Sequence, residues 1–266
     1  MIRRFVLLVI LWVAVTATLS AQISVLGSLT RVRESVSGEV YEGTVSLKNT
    51  GQTTAQAKIY LKDYTFNAAG ETSYLEPGSL PRSNAPWISI SAATAVLAPG
   101  ELADIKYTVN IPASSSLAGT YWSILFIEAI PDENEIQAED APVITIRQVM
   151  RYGVQLVTDF VYSGPSDLRF TNTRIIAGAE GRSFSVDLTN EGGRWLNGEL
   201  SLEVYSQDGD YVAALTGQRF RIYQGTSVRK AFSLAGFKAG TYKALLVADC
   251  GGDDLFGGNY NLVIPE

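Results

Sequence analysis

The sequence predicts an all-β protein: a signal peptide over residues 1–21, then two tandem immunoglobulin-like β-sandwich domains over 22–162 and 163–266. Three observations carry that expectation. Short runs of alternating apolar and polar residues recur along the chain, separated by Gly, Asn, Asp and Pro, which is the period-two pattern of half-buried strands. No stretch beyond the leader has the 3.6-residue periodicity of an amphipathic helix. Taking 21 residues from 266 leaves 245, room for two sandwiches of about 100 residues each.

The leader comes first. Arg3 and Arg4 precede an unbroken apolar stretch over 5–15, and Ser20 and Ala21 stand just before Gln22, the layout of an export signal. The apolar stretch is shorter than the roughly 20 residues a spanning helix needs. An uncleaved N-terminal anchor is the alternative. No Cys follows the leader to carry a lipid, and no later segment is apolar enough to cross a bilayer, so stable membrane insertion is not expected.

The first domain then reads strand by strand. Residues 40–47 alternate and stop at Asn49-Thr50-Gly51; 57–64 alternate and close at Asn67 to Gly70. Residues 87–91 form another strand, Pro99-Gly100 a tight turn, and Ile105, Tyr107, Val109 and Ile111 follow with period two. Residues 121–130 are almost continuously apolar, as expected of a central strand covered on both faces. Residues 143–160 supply the last strand or pair of strands. The turn-rich link Tyr162-Ser163-Gly164-Pro165-Ser166-Asp167 marks the domain boundary. Seven further strands are expected over 168–176, 183–189, 198–206, 211–223, 227–234, 242–249 and 259–264. The segments Val45-Ser46-Leu47-Lys48-Asn49-Thr50-Gly51 and Val186-Asp187-Leu188-Thr189-Asn190-Glu191-Gly192 rhyme, so the halves read as related modules.

Composition excludes several functions. Removing the leader lowers Lys plus Arg from 21 to 19 against 27 acidic residues, a net charge of −8, with no basic patch for nucleic acid or anionic lipid. Histidine is absent, which removes Ser-His-Asp and Cys-His catalysis and every His-ligated metal site. Cys250 is the single cysteine, so no internal disulfide forms. It reads as a small half-buried residue rather than a reactive thiol. No nucleophile motif appears, so the chain is expected to be a binding or assembly protein without catalytic residues, cofactor or metal, and not an enzyme. The carboxylates of Asp208, Asp210, Asp253 and Asp254 lack calcium-loop spacing and sit where hairpin turns belong. The Trp residues read as core rather than as a carbohydrate-binding face. A glycosidase working through two carboxylates has no acid in a distinctive context.

Residues 24–160 resemble the N-terminal domain of the PapD-like periplasmic pilus chaperones of the chaperone–usher pathway. The resemblance rests on Thr30-Arg31-Val32, on residues 45–51, on Trp87-Ile88 with Leu97-Ala98-Pro99-Gly100-Glu101, and above all on Tyr121-Trp122-Ser123-Ile124-Leu125-Phe126-Ile127-Glu128-Ala129-Ile130-Pro131. It covers about half the mature chain, since the second domain carries no motif that aligns. It implies a periplasmic chaperone binding a secreted pilin-like or surface subunit, with an outer-membrane usher as a further partner. It also implies that Arg31 and Arg151 hold the subunit's terminal carboxylate between the domains, and that Ile144, Ile146, Gln148 and Met150 form the face of a donated strand. Without the resemblance, the two arginines read as exposed strand residues and the other four as inward-facing core. A cell-surface adhesion or carbohydrate- or cell-wall-binding sandwich is the alternative function.

Overall fold

The computed structural model describes residues 23–131, 149–160, 164–179 and 181–265. The leader, the boundary residue Ser163, and Ile144, Ile146 and Gln148 of the expected donor face lie outside them. Apart from one 3-10 turn over Ala85–Trp87, the described residues form only strands and turns, so the all-β expectation holds.

In the first sandwich the strands are β1 (Ile23–Val25), β2 (Thr30–Ser35), β3 (Val40–Asn49), β4 (Ala55–Phe66) and β5 (Thr72–Leu75). They continue with β6 (Ile88–Ile90), β7 (Thr94–Leu97), β8 (Leu102–Asn110), β9 (Thr120–Ile130) and β10 (Arg151–Phe160). One sheet has the order β1-β3-β8-β6 and the other β2-β10-β9-β4-β5, with β7 also on β4. Alternate residues of each strand point inward, and Val45, Leu47, Ile59, Val109, Leu125 and Ile127 close the core with at most 1% exposure.

The edge between the two sheets is crossed early. β1 pairs antiparallel with β3, the chain turns through 26–29, and β2 then joins the other sheet parallel to β10, with Thr30 opposite Gln155. The alternation read from the sequence begins at residue 40 and assigned no strands here. The switch depends on a partner 125 residues away, which local alternation does not encode. β5 and β7 were also missed, being short strands of four residues each.

The second sandwich has β11 (Leu168–Gly178), β12 (Gly181–Asn190) and β13 (Leu196–Tyr205), then β14 (Tyr211–Ile222), β15 (Ser227–Ser233), β16 (Gly240–Asp249) and β17 (Leu255–Ile264). All seven expected strands are present, in sheets β11-β12-β15 and β14-β13-β16-β17 around a separate core of Val186, Leu188, Leu200, Leu202, Val204 and Leu246. The Asp208–Asp210 segment closes the β13–β14 hairpin through Gly209 N–H to Ser206 and Asp210 N–H to the Ser206 hydroxyl. Asp254 pairs with Arg194. Both acidic turns thus have structural work within the sandwich.

Candidate functional site

β10 organises the site because its two faces and its free edge do different things. Its even-numbered residues from Tyr152 to Phe160 face the first core, while Arg151, Gly153, Gln155, Val157 and Asp159 lie on the outer face, where Gln155 and Val157 meet Tyr223 of the second domain. The neighbouring strand β9 carries Trp122, Ile124 and Phe126 on the same outer face and Leu125 and Ile127 on the inner one. Both faces are covered, which accounts for its nearly continuous apolar sequence.

What covers the outer face is aromatic. Trp122, Ile124, Phe126, Tyr64 and Val157 form a third cluster with Tyr223 of the second domain. Tyr223 lies flat between Trp122 (centroids 4.6 Å apart, planes at 14°) and Trp195 (6.3 Å, 18°), with Tyr64 edge-on at 6.0 Å. The Trp122 indole N–H donates to the Tyr64 carbonyl at 2.9 Å. Burial keeps the Tyr64 and Tyr223 phenols protonated by raising both above the ordinary tyrosine value.

Hydrogen bonds pin the joint around this cluster. The Tyr223 hydroxyl donates to Gln155 Oε1 at 2.7 Å, and the Trp195 backbone N–H to Thr120 Oγ1 at 2.9 Å. Thr120 in turn donates to Asp159 Oδ1 at 2.6 Å. Ala68 N–H donates to the Ser227 hydroxyl at 2.9 Å. Gly119, at φ +81°, sits so close to Gly193 that an added Cβ would lie 2.0 Å from the Gly193 carbonyl oxygen. The two sandwiches are therefore locked together by packing and not only by the link between them.

The edge of β10 is half covered. β2 pairs with Gln155 to Phe160 and begins there; no described residue pairs with Arg151 to Val154 on that side. Two bonds fix which way the backbone groups point. The Gln155 N–H donates outward to the Leu29 carbonyl, and the Met150 carbonyl accepts from Ala129 on the β9 side. Alternation then turns the N–H and C=O of Arg151 and Gly153 into the free edge, while those of Tyr152 and Val154 serve the β9 ladder.

The structure does not bring Arg31 and Arg151 together. Arg31 pairs with Leu156, an inward residue, so its side chain follows the inner face of the sheet. There it donates to the Leu26 carbonyl at 3.3 Å and lines a groove of about 450 Å³ with Tyr41, Gly43 and Tyr107. Arg151 stands on the outer face, five positions or roughly 16 Å away along β10. Its guanidinium lies over the rings of Phe126 (4.4 Å) and Tyr74 (5.4 Å), with Glu128 at 3.9 Å, and its side chain is 44% exposed. The physical reason is parity: parallel pairing aligns Arg31 with an even-numbered residue of β10, and Arg151 is odd. Met150, the describable member of the expected donor face, is exposed ahead of β10.

Sequence reading missed Arg221. It sits on β14 in the second domain, yet its Nη1 reaches the first domain to donate to Thr30 Oγ1 at 2.7 Å, while its guanidinium lies 5.4 Å from the Trp195 ring. Nothing local distinguishes Arg219-Phe220-Arg221 from an ordinary alternating strand; only the domain joint gives Arg221 its position.

No protein-family model matches the chain, and no curated protein does. Among solved structures, the chain is similar to a chaperone–tip adhesin complex of CFA/I fimbriae biogenesis, at 11% identity and TM-score 0.49, over 92% of this chain and 100% of that one. It is also similar to the CsuC–CsuE chaperone–tip adhesion subunit pre-assembly complex of the archaic chaperone-usher Csu pili of Acinetobacter baumannii, at 15% identity and TM-score 0.47, over 88% and 97%. A third is the class 5 fimbriae chaperone CfaA, at 11% identity and TM-score 0.47, over 92% and 99%. Among the described residues, no helix is long and apolar enough to cross a membrane.

Proposed function

We propose that this protein is a non-enzymatic, periplasmic chaperone-like protein that binds an exported pilin-like or surface subunit by strand pairing along the free edge of β10. One observation carries the reading: the outward backbone groups of Arg151 and Gly153 have no described partner, immediately beside the point where β2 begins. An uncovered edge in an exported protein is a hazard unless it is used, and adding a strand to it supplies main-chain bonds whatever the partner's side chains. Arg151 flanks that edge on the outer face and is a contact for the partner in this reading. Arg31, on the other face, reaches the same partner only near the start of β2. In this reading the two arginines make separate contacts with the partner, one on each face of the sheet.

Amide hydrogen exchange tests the proposal directly. In the free protein the Arg151 and Gly153 amides should exchange fast, and those of Tyr152 and Val154 slowly. On co-purification with exported β-sandwich subunits encoded beside this protein, Arg151 and Gly153 should become protected by at least tenfold. A subunit that binds without protecting them would refute strand pairing at this edge and favour a binding surface elsewhere.

A further inference from the structure

The second sandwich has four edge strands, and three of them are blunted. β11 carries Arg169 and Arg174, with a register shift between Thr171 and Arg174. β14 carries Arg219 and Arg221 and pairs irregularly with β13, and β15 carries Arg229 and Lys230. Charges and bulges of this kind keep a sheet edge from pairing with another chain. β17 has neither. From Leu255 to Ile264 it holds no charge and no proline, and it runs against β16 without a shift. Among the described residues no strand pairs with its other edge; β11 of the facing sheet lies nearby without joining it. We propose that β17 is a self-association edge, through which two copies of this chain pair antiparallel about a two-fold axis at Asn259. The proposal is independent of the strand capture read at β10.

The hairpin fixes which backbone groups are offered. Cys250 N–H donates to the Asp254 carbonyl at 3.0 Å, in the register that continues with Asp249 opposite Leu255 and ends with Gly240 opposite Ile264. Antiparallel alternation then commits the even-numbered residues of β17 to β16 and turns the N–H and C=O of Gly257, Asn259, Asn261 and Val263 outward. The Leu255 N–H is held by the Asp253 carbonyl. The order of side chains selects a second copy as the occupant. Leu255 and Val263, both 64% exposed, stand at equal distances on either side of Asn259 on the outer face. With Asn259 facing Asn259 of the second copy, each Leu255 meets the other copy's Val263 and each Gly257 faces Asn261. A slip of two residues either way breaks both Leu–Val contacts. With no charged side chain on the strand, the copies approach without like-charge repulsion. The contact uses the same patch on both copies, so it closes as a dimer and does not propagate. A single strand edge buries less than the ~1,200 Å² of a stable complex, which makes the dimer reversible, with a Kd on the order of 10–100 µM.

Sedimentation equilibrium of the exported full-length protein, run up to about 500 µM, tests this. The native chain should show a monomer–dimer equilibrium. Asn259→Lys and Asn259→Glu each place like charges face to face at the axis, on an exposed side chain whose loss does not disturb the core. Each should weaken the dimer by roughly fivefold or more, and an equal mixture of the two should restore it. Asn259→Cys gives the register: residues facing each other across an antiparallel pair lie about 5.5 Å apart at Cα, so this variant should oxidise to a covalent dimer. Asn261→Cys, displaced from its own copy by four positions or roughly 14 Å, should not. A native chain that stays monomeric throughout the range overturns the proposal. So does a dimer that both charge variants leave unchanged, since it then forms elsewhere, for instance through β10. Equal cross-linking of Asn259→Cys and Asn261→Cys would overturn the two-fold register.

Discussion

The two sandwiches share one internal device and differ in what they show outside. Asn49 ends β3 and Asn190 ends β12, and both are fully buried. Asn49 Nδ2 donates to the Thr53 and Leu97 carbonyls at 2.8 and 2.9 Å, and its Oδ1 accepts the Gly51 N–H at 2.8 Å. Asn190 Nδ2 donates to the Arg194 and Ile222 carbonyls at 2.7 and 3.3 Å, and its Oδ1 accepts the Gly192 N–H at 2.9 Å. Even the backbone matches: Gly100 donates to the Asn49 carbonyl and Gly225 to that of Asn190, with φ of +76° and +74°. In each module a side-chain amide pins the corner after one strand to the end of a strand in the opposite sheet. The outer faces are unlike. That of β9 and β10 is aromatic and carries the joint, whereas that of β12 carries Asp187, held bidentately by Arg229 at 2.6 and 2.8 Å and by Asn172 at 3.0 Å. The buried lock is common to the two modules and the exposed faces are not, so function is to be sought on the face that lacks a counterpart.

The largest effect should come from breaking the shared lock. Asn49→Ala removes the bonds to the Thr53 and Leu97 carbonyls and from the Gly51 N–H, and Asn190→Ala those to the Arg194 and Ile222 carbonyls and from the Gly192 N–H, a loss of ~3 kcal/mol in either domain. Urea unfolding of the two variants should give closely similar destabilisations. If one proves nearly neutral, the corners are alike in geometry only.

Next in size is the joint. Gly119→Ala demands both a left-handed backbone for Ala and room against the Gly193 carbonyl, and should cost about 2 kcal/mol of interdomain stability. Small-angle scattering should report a wider spread of domain orientations, with circular dichroism unchanged. A variant as rigid as the native chain would mean that the aromatic cluster alone holds the angle.

Legibility in the sequence follows the same division. The Asn-x-Gly rhyme was readable because the lock is local: Asn, turn Gly and the accepting carbonyl four residues on all lie within one short segment. The buried central strand was readable because burial on both faces removes alternation altogether. The faces of Arg31 and Arg151 were not. Each lies on a strand whose side is set by the partner it pairs with, and β2 pairs with a strand more than a hundred residues away. Arg221 was hidden for a stronger reason, since its hydrogen-bond partner Thr30 belongs to the other domain.

The finest contrast is between a buried aspartate, Asp187, and a half-buried one, Asp159, that should titrate with opposite consequences. Asp187 is held below the ordinary carboxylate range, chiefly by its hydrogen bonds to Arg229. Its stabilising contribution is present above the unfolded value of about 4 and is lost as pH falls through the depressed one. Asp159, at the joint, is shifted upward chiefly by burial, against the hydrogen bond from Thr120 and the attraction of Arg194, with Glu34 alongside it on β2 adding repulsion. A carboxyl whose folded pKa is raised binds its proton more tightly in the folded state. Its ionisation therefore costs stability as pH rises, and mild acid should tighten the joint while stronger acid unpins Asp187. Asp159→Asn keeps an oxygen for Thr120 and removes the charge, so it should stabilise the protein at pH 7 by ~0.5 kcal/mol and flatten the rise on mild acidification. Thermal melts of the native, Asp159→Asn and Asp187→Asn proteins between pH 4 and 7 separate the two groups. An Asp159→Asn protein that loses stability at neutral pH would show that the carboxylate is held by charge partners rather than penalised by burial.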